Sequence, residues 1–174
     1  MKAANNVKLT NLITTVISLI AFLLVLGSGF SNWVSLPALY AAFAAALGQV
    51  TGYSLYGMLS RLGSIGTTAA GLFIAATIFY AISLIFSAIT LISLLPKYSN
   101  RSTHKSYLFV GVLCILTSIL GFAAVGAIPS SSGVSAVAGG GIEMVLSAGI
   151  IYIIIYILDQ IGFGIDKIVD SILS

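Results

Sequence analysis

The chain has 174 residues, of which 59% are hydrophobic and only 6% are charged, and its formal net charge is +3. A soluble domain carries about 25% charged residues, so seven basic and four acidic side chains cannot cover a water-facing surface on a chain of this length. The composition excludes an ordinary soluble domain and predicts a single integral membrane domain over residues 1–174. The sequence contains no basic cluster with interleaved aromatic residues, so we expect no nucleic-acid partner.

The first apolar segment covers about residues 9–30 and follows Lys2 and Lys8. A secretory signal peptide is one alternative, because Gly27 and Gly29 are small residues near a possible cleavage point. We interpret the segment instead as a retained first transmembrane helix.

Three later segments are also long and apolar enough to cross a bilayer. The second predicted span, about 65–95, would form a helix about 45 Å long, which exceeds the ~30 Å hydrocarbon core and requires tilting or protrusion. A polar loop at 96–106 follows it. The third span covers about 107–128 and the fourth about 142–164, with a Ser/Gly/Ala-rich loop at 129–141 between them.

Residues 31–64 are apolar enough for a fifth span, and the distribution of basic residues decides against that. If this segment does not cross and the N-terminus is cytoplasmic, Arg61 is the one basic residue outside. The other six then lie inside: Lys2, Lys8, Lys97, Arg101, Lys105 and Lys167. If the segment crosses, the basic residues divide three against four. The positive-inside rule therefore predicts four spans, with both termini in the cytoplasm of a cell-membrane protein.

The outer segment 31–64 is predicted to be partly helical near Pro37 to Leu47, because proline suits a first helical turn. Trp33 and Tyr40 are candidate interfacial anchors. Three arrangements stay open for the segment: flat on the outer leaflet, packed over the bundle, or a re-entrant hairpin.

Small and polar side chains follow helical spacing in the predicted spans, as they do where membrane helices associate. The stripe on span two contains Ala76 and the four hydroxyl residues Tyr80, Ser83, Ser87 and Thr90. A second polar face on span one contains Asn11, Thr14, Thr15 and Ser18, and a small face on span three contains Thr117, Gly121 and Ala124. Gly48-x-x-x-Gly52 is a candidate close-approach motif. We favour helix packing for the stripe of span two, and the alternative is a path for a small solute or ion.

Acidic residues near spans invite a functional interpretation. Glu143 begins span four and shares the outer side with Arg61, so we predict a structural ion pair between them. Asp159 lies near the inner edge of span four, where solvation, a basic partner or a proton or cation site are the alternatives. The candidate partner surface combines aromatic residues of the outer segment with one face of span four: Trp33, Tyr40, Tyr53, Tyr56, Tyr152, Tyr156 and Asp159.

The sequence contains few residues that could catalyse a reaction or bind a cofactor. His104 is the single histidine and Cys114 the single cysteine, which cannot form a metal or haem site together. The sequence shows no plausible Ser-His-Asp set and no phosphate-binding loop that ends in lysine. We therefore expect no enzymatic activity, no metal and no cofactor.

Trp33 in the outer segment, "GYSLYGM" at 52–58 and "AGGGIE" before span four give this chain a family resemblance. It resembles the claudin-like four-span superfamily, which includes fungal PalI-type proteins, and more generally the tetraspans of the MARVEL group. The resemblance implies four spans with cytoplasmic termini. The paired outer cysteines of claudins are absent, and the outer segment is shorter and more helix-like than the β-rich loop of a claudin, so barrier and paracellular-pore functions are not carried over.

These observations predict an all-α membrane protein, a four-transmembrane-helix bundle with an apolar, partly helical outer segment. Its predicted function is non-enzymatic: lateral helix packing as a structural or assembly subunit of a homo-oligomer or larger membrane complex. The expected partners are the lipid bilayer and other membrane-protein subunits or further copies of the chain. The alternative function is a small-solute or ion pore lined by the Ser/Thr/Tyr stripe of span two.

Overall fold

The computed structural model describes residues 2–47, 51–94, 104–130 and 135–160. The described chain is mostly α-helical. Three of its helices are long and apolar enough to cross a membrane, and Leu12–Ser28 is a shorter apolar helical stretch. These helices indicate an integral membrane protein. Most of the predicted polar loop, with Lys97 and Arg101, and the C-terminal tail with Lys167 lie outside the described residues.

The helices follow the predicted apolar segments closely. Four of them are long: α1 (Lys2–Ser28), α4 (Thr67–Ser93), α5 (His104–Gly126) and α6 (Gly140–Gln160). Two short helices, α2 (Ala38–Ala46) and α3 (Leu55–Leu59), and a 3-10 turn (Leu62–Ser64) occupy the segment between α1 and α4. Gly66 precedes α4 with a φ of 86°, a conformation that glycine adopts without strain.

The four long helices pack in a ring, in which α4 contacts α1 and α5, and α6 contacts α5 and α1. Large apolar side chains remain exposed on the outside of the ring. Examples from each helix are Ile20 on α1, Ile78 and Ile85 on α4, Ile119 on α5 and Ile154 on α6. Lipid is a favourable solvent for this surface, whereas water would make it prone to aggregation.

A small antiparallel sheet covers one end of the ring. It contains β1 (Asn32–Ser35), β2 (Gly52–Ser54) and β3 (Val137–Ala138) in the order β2-β1-β3. The first strand follows α1 closely, and the third immediately precedes α6. The expectation of a purely helical chain missed this sheet, because strands of two to four residues are too short to show an alternating pattern.

The outer segment 31–64 contributes β1 to this sheet, leaves it, and returns to it as β2. Val34 of β1 pairs with Tyr53 of β2 on one side and with Ala138 of β3 on the other. Between the two paired strands lies α2, at the position predicted near Pro37 to Leu47, with nine residues that extend about 14 Å. A helix of that length is too short to cross a ~30 Å hydrocarbon core.

Glycines let α5 and α6 approach closely at Gly111 and Gly149. A methyl group added at Gly149 would lie 3.0 Å from Cys114 Cβ and 3.1 Å from the Gly111 carbonyl oxygen. The candidate motif Gly48-x-x-x-Gly52 stays a prediction, because Gly48 lies outside the described residues; Gly52 lies in β2.

Candidate functional site

The hydroxyl stripe of α4 faces the interior of the ring. Tyr80, Ser83, Ser87 and Thr90 are all buried, and so is Ala76 on the same face. Spacings of three and four residues place these side chains on one side of a helix. The small face of α5 also points inward, since Thr117 and Ala124 are buried.

Two of the four stripe hydroxyls form hydrogen bonds in the half of the ring nearer the sheet: Tyr80 near the sheet end and Ser83 near the middle. Tyr80 donates to the carbonyl oxygen of Val25 on α1 at 3.0 Å. Ser83 donates to the Phe79 carbonyl of its own helix at 2.8 Å and lies 3.4 Å from Thr117 Oγ1 on α5. The stripe therefore connects α4 to α1 and α5.

A second group of polar side chains lies further from the sheet, at one level along the helix axes. Ser87 and Tyr152 of α6 are hydrogen-bonded through their hydroxyls. Tyr152 stacks on Tyr107 of α5, with ring centroids 6.2 Å apart. The hydroxyls of Thr90, Tyr107 and Ser18 are buried at this level, and no group in the part of the chain that the structure describes forms a hydrogen bond with them.

Trp33 is fully buried, so it is neither an interfacial anchor nor part of an exposed partner surface. Its indole N–H donates to the Ser28 carbonyl oxygen at 2.7 Å, and its ring meets Tyr80 edge-on at 6.0 Å. Methyl groups added at Gly121 and Gly141 would lie 3.1 Å and 2.4 Å from its ring. Trp33 thus closes the sheet end of the ring by contacting all four long helices. Hydropathy alone could not distinguish this buried tryptophan from one that lies at the level of the lipid headgroups.

The predicted ion pair between Arg61 and Glu143 is not formed, although both residues belong to the described chain. The Arg61 guanidinium instead lies 4.5 Å from the centroid of the Tyr53 ring, a cation–π contact. Glu143 is exposed in the first turn of α6, where a negative charge is favourable to the helix dipole. Each charge therefore has a local interaction that the spacing in the sequence did not reveal.

The remaining residues of the predicted partner surface separate into two groups. Tyr40 and Tyr56 are each 48% exposed, and Tyr56 contacts the exposed Phe30 ring at 5.7 Å. Tyr152 is fully buried and Tyr156 packs against the core, so the tyrosine face of α6 points largely into the ring. Asp159 is partly exposed near the end of the same helix.

The contact of Trp33 with the glycines before α6 was not predicted from the sequence. The run "AGGGIE" marks the place, since it contains Gly139, Gly140 and Gly141. Gly139 donates its N–H to the Trp33 carbonyl at 3.0 Å, and Gly141 lies against the indole ring. Three adjacent glycines at the start of an apolar helix were therefore a usable signal for close approach.

Hydroxyl groups dominate the polar chemistry of this interior. Within the described ranges, no three His, Cys, Asp or Glu side chains are grouped so that they could hold a metal ion. Neutral hydroxyls can donate and accept hydrogen bonds between helices or to a neutral polar molecule. Comparisons with protein-family models, curated proteins and solved structures find no match to this chain.

Proposed function

We propose that this chain is a four-span protein of the cell membrane that acts by lateral helix packing, without catalysis. It serves as a structural or assembly subunit of a homo-oligomer or a larger membrane complex, and both of its termini face the cytoplasm. The proposal rests mainly on one observation, which is that hydroxyls of the stripe form hydrogen bonds inside the ring.

Three stripe hydroxyls are engaged by the protein itself. Tyr80 bonds to α1, Ser83 bonds within α4 beside Thr117, and Ser87 bonds to Tyr152 of α6. Hydrogen bonds of this kind hold membrane helices together, because lipid gives no hydrophobic force between them. A pore would instead need these side chains to face a continuous path, so their bonding favours packing over the pore alternative.

The route of residues 31–64 supports four spans. Strands β1 and β2 lie side by side, and the nine-residue α2 between them is too short to cross. In this arrangement Arg61 lies at the sheet end and Lys105 at the opposite end of α5. The positive-inside rule, applied to all seven basic residues of the sequence, favours an outer position for the sheet.

A claudin-like relationship is part of this proposal. Its two outer-segment features were Trp33, which lies in β1, and the "GYSLYGM" patch, which begins in the neighbouring strand β2 and continues into α3. The proposed relationship rests on the sequence features and the predicted four-span layout.

The proposed docking surface consists of Phe30, Tyr40 and Tyr56 at the sheet end. Phe30 is 71% exposed, and the two tyrosines retain about half of their surface. Aromatic residues are enriched at protein–protein interfaces, where they bury large rigid surfaces. Trp33 and Tyr152 are not included, because they are buried within the chain itself.

The double substitution Tyr40→Ala and Tyr56→Ala should reduce recovery of the partner subunit about tenfold or more, which corresponds to about 1.4 kcal/mol. The measurement is quantitative copurification from native membranes in mild detergent, with the mass of the assembly determined in solution. Ile78→Ala with Ile85→Ala, on an exposed face of α4, is the matched control and should leave recovery unchanged. A wild-type chain that is monomeric and without partners in both detergent and lipid nanodiscs would refute an assembly role.

A further inference from the structure

We propose that Ser18, Thr90 and Tyr107 bind buried water between the four long helices, beside the hydrogen bond that joins Ser87 to Tyr152. This inference is independent of the assembly role proposed above. It concerns three hydroxyls that are 0%, 1% and 3% exposed and have no hydrogen-bond partner among the described residues.

The three hydroxyls belong to one level of the bundle. The Ser18 and Tyr107 hydroxyls lie beside each other, but their geometry does not meet that of a direct hydrogen bond. Tyr80 contacts Val25 between α4 and α1, which run antiparallel, and Ser87 and Ser18 are each seven residues from that contact. At about 1.5 Å per residue, both therefore lie about 10 Å further from the sheet. Thr90 follows Ser87 by less than one helical turn.

The surroundings favour water over other ligands. A buried hydroxyl without a partner is costly, and a buried water molecule commonly bonds to about three such groups. The described groups at this level are hydroxyls, with the Cys114 thiol beside Tyr152. A cation held by neutral hydroxyls alone would keep an uncompensated charge in a low-dielectric interior, which is far less favourable. Water can donate to and accept from all three groups.

Isosteric substitutions give a test whose sign distinguishes the possibilities. Thr90→Val and Tyr107→Phe should each lower the thermal unfolding midpoint by about 2–4 °C, because each removes a bond to the water. If nothing bridges these hydroxyls, removing a buried unpartnered group should raise the midpoint instead. The double variant should shift it by less than the sum of the single shifts, since both changes affect the same water.

Thr77→Val is the matched control for Thr90→Val. Thr77 lies on the same helix, and its hydroxyl already donates to the Phe73 carbonyl of that helix at 2.7 Å. Its replacement should change the midpoint much less than that of Thr90. A raised or unchanged midpoint for Thr90→Val and Tyr107→Phe would overturn the proposal.

Magnetisation transfer from water in the folded wild-type chain tests the same site without relying on a variant that folds. A long-lived nuclear Overhauser effect from water to the labelled Thr90 methyl group is expected in detergent micelles. Its absence would overturn the proposal. A midpoint that rises with Na⁺ or K⁺, relative to choline at equal ionic strength, would overturn it in favour of a cation site.

Discussion

Replacing Trp33 by alanine is expected to lower the free energy of unfolding by about 3–5 kcal/mol, the range for large aromatic residues removed from a core. The side chain is fully buried and contacts α1, α4, α5 and α6. Its removal leaves a cavity where the four helices meet and deprives the Ser28 carbonyl of its indole donor. Equilibrium unfolding of the purified chain in mixed micelles measures the effect.

Tyr40→Ala is the control for Trp33→Ala, because Tyr40 belongs to the same outer segment but is 48% exposed. Its substitution should change the free energy of unfolding by no more than about 0.5 kcal/mol. Trp33→Phe should fall between the two, since phenylalanine retains much of the ring volume but lacks the N–H group. A loss below about 1 kcal/mol for Trp33→Ala would contradict a plug at the junction of the helices.

Gly141→Ala is expected to destabilise the chain by about 1–3 kcal/mol, the usual cost of inserting a methyl group into a filled core. The new carbon would lie 2.4 Å from Trp33 Cδ1 and 2.8 Å from the Ser28 carbonyl oxygen. Because the second contact is with backbone, a rotation of the indole ring cannot relieve both clashes.

The neighbouring Gly140 provides a control at the same helix end. Apart from its chain neighbours and the backbone of its own helix, a methyl group added there would have no atom within 4 Å, so Gly140→Ala should be neutral or stabilising by up to about 1 kcal/mol. Unfolding measured under the same conditions compares the two variants. Equal effects at the two positions would show that helix propensity, not contact with Trp33, governs this segment.

The order of helices was accessible from the sequence because each long helix leaves a strong apolar signal. The hydroxyl stripe of α4 was accessible for a related reason, since a spacing of three or four residues identifies one helical face. Tyr80, Ser83, Ser87 and Thr90 lie on the buried side that this spacing predicted. What the spacing could not provide was the partner of each hydroxyl, because partners depend on the register between helices.

Residues outside the long helices were harder to place. A buried tryptophan and an interfacial one occur in the same apolar context, so the position of Trp33 depended on the sheet that holds it. Arg61 and Glu143 were assigned to the same side of the membrane, yet the guanidinium lies over Tyr53 instead. Charge balance predicts sides of a membrane but not contacts, which need distances of a few ångströms.

Through Trp33, the outer segment contacts all four long helices of the bundle. The β1 backbone is bonded to β2 and β3, while its tryptophan side chain contacts the four long helices. We therefore expect Phe30 and Tyr56 of the docking surface to be held rigidly relative to the ring, since α3, which carries Tyr56, contacts β1, β2 and α4. A preorganised surface binds with a smaller entropic cost than a flexible loop.

The most direct test of the four-span arrangement is side-specific labelling of Ser64→Cys and Ser106→Cys with a membrane-impermeant maleimide. These substitutions keep every charged residue, and the wild-type chain with its buried Cys114 is the control. We expect Ser64→Cys to react only from outside intact cells, and Ser106→Cys only from the cytoplasmic side of inverted vesicles. Reaction of both positions from the same side would contradict the topology.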